Sequence, residues 1–140
     1  MVRINLINPK NLADQHLLAE HVEILMLFTS ALKYDKDKVP NDFRLGKGHI
    51  NFFKNKLEYL KQRFLNIQEE MRERGYMTDA NIQNYTFEKE QLGNFSPSQQ
   101  DFKVIKDRLL EKINEKPDWY TYYGEKLEMG DWFVMINNSE

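Results

Sequence analysis

The sequence predicts an all-α fold: a single compact domain of three main helices, with long loops and an aromatic C-terminal segment. Three observations carry that expectation. Ile50, Phe53, Leu57, Leu60, Phe64, Ile67 and Met71 recur in alternating steps of three and four, the seam of a helix that buries one face. Ser96-Pro97 stands ahead of a second seam, Phe102, Ile105, Leu109 and Ile113. No alternating run between turn dipeptides competes as a strand.

Taken in order, Asn8-Pro9 reads as a turn or helix start, with Asn11 as another possible cap. A first helix is expected from about Leu12 to about Lys33, with Leu18, Val22, Leu25 and one of Phe28 or Leu32 as its apolar stripe. Asp35, Asp37, Pro40, Asn41 and two glycines make residues 34–47 a loop. Gly75 stops the second helix, with Arg72 and Arg74 favourable in its last turn. Residues 76–95 are polar and irregular and read as a long loop. The third helix ends at Pro117. Trp119, Tyr120, Tyr122 and Tyr123 then cluster, and four aromatics in five positions usually close a small core. The apolar run Trp132–Ile136 in the tail either folds back on the domain or forms a self-association patch.

Composition narrows the function. A chain of 140 residues reads as one domain, 1–140. It has no cysteine, which excludes disulfides and cysteine-rich metal sites and favours a reducing compartment. No apolar run is long enough to span a bilayer, and the first residues lack signal-peptide features. A cytoplasmic monomer is expected, in a bacterial cell or a virus-infected host, with no membrane partner. The net charge of −2 is awkward for binding phosphate. Glu125, Glu128, Asp131 and Glu140 face Lys126 alone in the tail, so residues 125–140 carry −3 and the remainder +1.

The chemistry begins at the N-terminus. A short arm, Arg3-Ile4-Asn5-Leu6, precedes a helix that carries His16, Glu20 and Glu23 on one face. An α-amine titrates near ~8 against ~10.4 for lysine, so roughly a tenth of it is unprotonated at neutral pH. If Met1 is removed, that amine belongs to Val2. An amine beside a helix carboxylate suits imine chemistry on a sugar carbon. His16 and His21 point to different helix faces and His49 stands alone, so no metal site is expected and no cofactor is implied. Arg108, Lys112 and Lys116 recur every four residues, either as a phosphate-tracking stripe or as solvated surface. Gly48 and His49 begin the second seam, where helix amides favour a phosphate.

These segments carry a resemblance. Arg3–Leu6 with Leu12–Glu20 and Glu23, then Gly48–Phe53 with Lys56–Leu60, then Lys116–Gly124, resemble in order and spacing the pyrimidine-dimer DNA glycosylases, the phage endonuclease V type of repair enzyme. The resemblance spans Arg3 to Gly124, apart from residues 78–96. It implies a mostly helical fold and a DNA glycosylase with AP-lyase activity on UV-induced pyrimidine dimers in duplex DNA. It implies that the Val2 amine attacks C1′ of the 5′ sugar, that the glycosidic bond breaks, and that β-elimination from the imine nicks the strand. The family usually has Thr where Val2 stands. Glu23 matches the essential carboxylate, which stabilises positive charge on the sugar and assists proton transfer. Arg3, Gln15 and His16 match residues near the active site, and Arg108 and Lys112 match basic DNA contacts. The stretch with Tyr122 and Tyr123 lies close to DNA in the family. Glu20 reads as a structural partner for Arg3 or a lysine.

Departures from the pattern cluster in the DNA grip. The family usually has arginine where this chain has Val22 and another basic residue at Met26; Thr121 and Glu125 stand where lysines occur. Each loss weakens phosphate binding and flattens its salt dependence. A catalytically silent DNA- or protein-binding member, or a glycosylase for another damaged or modified base, are the alternatives.

Overall fold

From Leu57 onward the three-and-four seam forms the central helix. The computed structural model describes residues 3–82 and 85–140, with α1 (Asp14–Ser30), α2 (His49–Phe53), α3 (Leu57–Glu73), α4 (Gln99–Glu115) and α5 (Met129–Asn137), and no strand among those residues. Leu57, Leu60, Phe64, Ile67 and Met71 of α3 are all buried. Each side chain removed from water contributes roughly 1.5–3 kcal/mol. α1 lies against this seam, and α4 packs on α5.

The expected second helix is two elements. The chain breaks at Lys54–Lys56, where the Lys56 ammonium donates to the Phe52 carbonyl and sits 3.8 Å from the Phe52 ring centre. The orphan amides of Glu58 and Tyr59 at the start of α3 donate to the Gly93 carbonyl. A Cβ at Gly93 would lie 2.6 Å from the Asn55 carbonyl oxygen, so only glycine permits this approach.

α1 is rotated from the expected stripe. Leu17, Ile24, Leu27 and Phe28 face the core, whereas Val22 is 54% and Met26 59% exposed. The reason is compositional: Leu, Ile, Val and Met occupy nearly every side of this helix, so periodicity alone does not fix its inner face. Its cap also differs. Asn8-Pro9 opens a separate 3₁₀ turn, Pro9–Asn11, and the Asp14 amide donates to the Thr121 carbonyl. α4 is capped by Ser98 rather than Ser96, in a reciprocal box with Asp101.

The tail folds back. Trp132 and Ile136 of α5 are buried, while Phe133 and Val134 point outward. No helix among the described residues is long and apolar enough to cross a membrane.

Candidate active site

The arm before α1 is a fixed structural element. Ile4 and Ile7 are fully buried, and the chain turns at Leu6, whose φ of +60° is costly for a side-chain-bearing residue. The Ile7 amide closes that turn onto the Asn5 carbonyl at 2.6 Å. Such a conformation persists only where surrounding contacts over-determine it. Here they do. The Asn5 amide and side-chain Nδ2 both donate to Glu20 Oε1, at 3.1 and 2.9 Å. Arg63 forks onto both Glu20 oxygens and donates to the Ile7 carbonyl at 2.9 Å. The Ile4 amide donates to His49 Nε2 at 3.1 Å, while His49 Nδ1 lies 2.8 Å from the Arg44 carbonyl. His49 therefore carries its proton on Nδ1 and accepts on Nε2.

Three residues on from Glu20, Glu23 is only half-buried. Burial pushes its carboxyl above the ordinary range, and the charge of Arg3 pulls against that rise. His16, at the opposite end of this face, is lowered to about 4 by burial and by the charge of Arg108. It is thus neutral at physiological pH and can both donate and accept. Its ring lies 4.7 Å from that of Tyr120.

A cavity of about 250 Å³ opens beside His16, lined by Arg3, Asn5, Gln15, Ala19, Arg108, Lys112, Trp119 and Tyr120. Among the described residues three cations and no carboxylate line it, so its field attracts an anion. Burial, and then the charge of Arg3, lowers the pKa of Arg108. Two guanidinium groups influencing one another in a partly buried wall favour any ligand that brings negative charge.

The aromatic segment is clamped to the start of α1. Tyr122 and Glu125 exchange both backbone hydrogen bonds around Tyr123 and Gly124, whose φ values of +51° and +78° match a type I′ hairpin turn. Buried Asp14 accepts from the Thr121 hydroxyl at 2.6 Å, the Tyr123 and Gly124 amides, and Arg74. Burial opposes ionisation of Asp14, but these hydrogen bonds prevail and hold its carboxyl below the ordinary range. Gln15 makes a reciprocal pair with Thr121, accepting from its amide and donating to its hydroxyl. That pairing hands Trp119 and Tyr120 to the cavity.

A family model described as pyrimidine dimer DNA glycosylase matches residues 1–84. The chain belongs to that family. The family is one of DNA-repair glycosylases, whose substrate is DNA. The match covers the arm, α1, α2 and α3, which carry Glu20, Glu23 and the Arg63 fork.

The sequence-derived site residues separate into two groups against this geometry. Arg3, Gln15, His16, Arg108 and Lys112 line one cavity, with Glu23 on the same helix as His16 and within the field of Arg3. Val2 lies outside the described residues. His49, Tyr122 and Tyr123 stand apart. His49 is fully buried with both ring nitrogens engaged, and its backbone amide donates to the Gly46 carbonyl, so it serves the arm rather than a phosphate. The Tyr122 hydroxyl donates to the Lys10 carbonyl and the Tyr123 hydroxyl to Glu70, with the Arg74 guanidinium over both rings. Both tyrosines line a different, larger cavity of about 640 Å³ along α3, which also holds Glu69, Glu70, Glu73 and Glu140. Those carboxylates oppose phosphate, so size does not make this cavity the DNA site.

Glu20 is structural, as expected, though the partners that hold it are Arg63 and Asn5 where Arg3 or a lysine was expected. Sequence reasoning missed Asn5 and Arg63, because nothing local marks a pair separated by dozens of residues. It also expected Trp119 to be structural. The indole is 59% exposed and forms a wall of the cationic cavity.

Proposed function

We propose that this protein is a glycosylase with AP-lyase activity on UV-induced pyrimidine dimers in duplex DNA. The Val2 α-amine, freed by loss of Met1, is the nucleophile. It attacks C1′ of the 5′ sugar of the dimer and the base departs with the glycosidic electron pair. Ring opening gives an imine, loss of a C2′ proton expels the 3′ phosphate by β-elimination, and water releases the chain. Glu23 is the carboxylate that balances positive charge at C1′ and relays protons. Arg3, Arg108 and Lys112 receive phosphate oxygens; neutral His16 and Gln15 complete the polar shell.

The observation that carries this reading is the anchoring of the arm. Residues 3–7 are held by Glu20, Arg63 and His49, which supports delivery of the preceding residues towards Glu23. An arm fixed to the same frame as Glu23 suits an attack on a bound sugar, where a free bimolecular encounter is limited by entropy.

The test is reductive trapping. Irradiated and undamaged duplexes are incubated with the protein and borohydride. The reading predicts a covalent adduct on irradiated DNA alone, lost in Glu23→Gln. No adduct on either irradiated DNA or an abasic site would instead favour a silent binding member of the family.

A further inference from the structure

We propose that Val22 and Met26 form an apolar wedge that meets base faces opened at the lesion, so that this chain stabilises the distorted duplex by desolvation where a cationic surface would use phosphate contacts. The inference rests on the glycosylase reading and names what the exposed side of α1 does for it.

The starting point is a contradiction on the surface. Val22 and Met26 are 54% and 59% exposed, on a helix whose core needs are already met by Leu17, Ile24 and Leu27. Single exposed apolar residues need no explanation, but these two are successive on one stripe. Residues three or four apart lie on the same side of a helix, so Gln15, Ala19, Val22 and Met26 form one line. Gln15 and Ala19 are walls of the cationic cavity. The apolar pair therefore continues the phosphate-attracting cavity along α1. Glu23 stands next to it, between Val22 and Met26 in sequence and roughly a quarter-turn round the helix.

A phosphate gains nothing from a valine or a methionine. A base face does. Apolar side chains, methionine among them, insert at base steps and hold them partly unstacked. Stacked bases hide their faces; a dimer already weakens stacking, so its neighbours are the bases most cheaply exposed. The spacing suits the task. Four residues rise about 6 Å along a helix, close to the roughly 7 Å of two base steps at 3.4 Å each. Methionine adds a flexible, polarisable end that moulds to an irregular surface. The cavity would hold the backbone by charge while the wedge holds the opened step by contact, each next to the carboxylate.

Two substitutions test this, both at exposed positions where folding is not at stake. A duplex with 2-aminopurine opposite the dimer reports unstacking as increased fluorescence, and it is measured in a Glu23→Gln background so that cleavage does not intervene. Val22→Ser with Met26→Ser is expected to cut the fluorescence rise by half or more at saturating protein. In the Glu23 background it is expected to lower kcat/KM on irradiated duplex about tenfold, the scale of one lost base contact. That loss should exceed the loss on a single-stranded abasic oligonucleotide, which needs no opening. The slope of log affinity against log salt should not change. Val22→Arg with Met26→Arg should steepen that slope by about two, one unit per added charge, and reduce the fluorescence rise despite tighter binding. Unchanged fluorescence in the serine pair, or equal losses on duplex and single strand, overturns the wedge. Failure of the glycosylase reading is a separate result: wild-type protein then traps no adduct on irradiated DNA.

Discussion

Glu20 and Glu23 are less than one turn apart on α1, and they end in opposite chemical situations. Glu20 is fully buried and held by the Arg63 fork and by two donors from Asn5. Glu23 is half-buried, its carboxyl raised by burial and tempered by the field of Arg3. The same residue type on the same helix face is a structural strut in one position and, in the proposed mechanism, the reactive carboxylate in the next. In that mechanism the reactive carboxylate has a second, committed carboxylate behind it. Without Glu20 the arm has no reason to keep its turn at Leu6.

Exchanging the two glutamates for uncharged residues breaks the comparison most sharply. Glu20→Ala strands the buried Arg63 charge and should cost about 3–5 kcal/mol of stability, read as a fall in the urea midpoint. Glu23→Gln should change stability by less than about 0.5 kcal/mol yet lower turnover on irradiated duplex by a factor of roughly 10²–10⁴. If both variants lose stability alike, the division of roles is wrong.

Asp14 extends the frame to the aromatic hairpin. Asp14→Ala leaves the Thr121 hydroxyl, two backbone amides and Arg74 short of an acceptor, and should cost about 3 kcal/mol. Quenching of Trp119 fluorescence by iodide should rise as the cavity wall loosens.

The arm also predicts a pH dependence. His49 and His16 are each lowered to about 4 in the fold, against an ordinary 6.5. Burial is the leading cause in both. The unfolded chain therefore binds protons first, and stability should be constant above about pH 6.5 and fall as pH drops towards 4. The loss for His49 is on the order of 2–3 kcal/mol. Thermal denaturation across this range checks it, and His49→Gln should flatten the profile. Activity should fall separately on the acid side as Glu23 is protonated, at a pH above the ordinary carboxylate range.

The smallest effect belongs to the rim of the cavity. Lys112 is partly exposed and lies 3.7 Å from Glu115. Lys112→Ala should weaken duplex binding a fewfold at low salt and reduce the salt slope by about one, with no change in stability. A slope unchanged within error would take Lys112 out of the DNA contact.

The sequence made α3 plain because one seam of large apolar residues satisfies one period and no other. It misplaced the inner face of α1 because apolar residues surround that helix. The tail from Trp132 to Ile136 showed its hydrophobicity but not its destination, since an apolar run does not say which neighbour covers it. The cavity residues were legible through family likeness and helical spacing. The struts were not: Asp14 with Thr121, and Glu20 with Arg63, join positions that no local pattern relates. His49 misled for a similar reason, since a helix start suggests a phosphate site until the arm is seen lying across it.

The most direct measurement is the identity of the atom that captures the sugar. Protein trapped on irradiated duplex with borohydride is digested with trypsin, and the DNA-bearing peptide is sequenced by mass spectrometry. The account predicts a reduced deoxyribose on the α-nitrogen of Val2, in the peptide Val2–Arg3. A lysine such as Lys56 or Lys112 carrying the sugar, or irradiated DNA that forms no adduct at all, would contradict it.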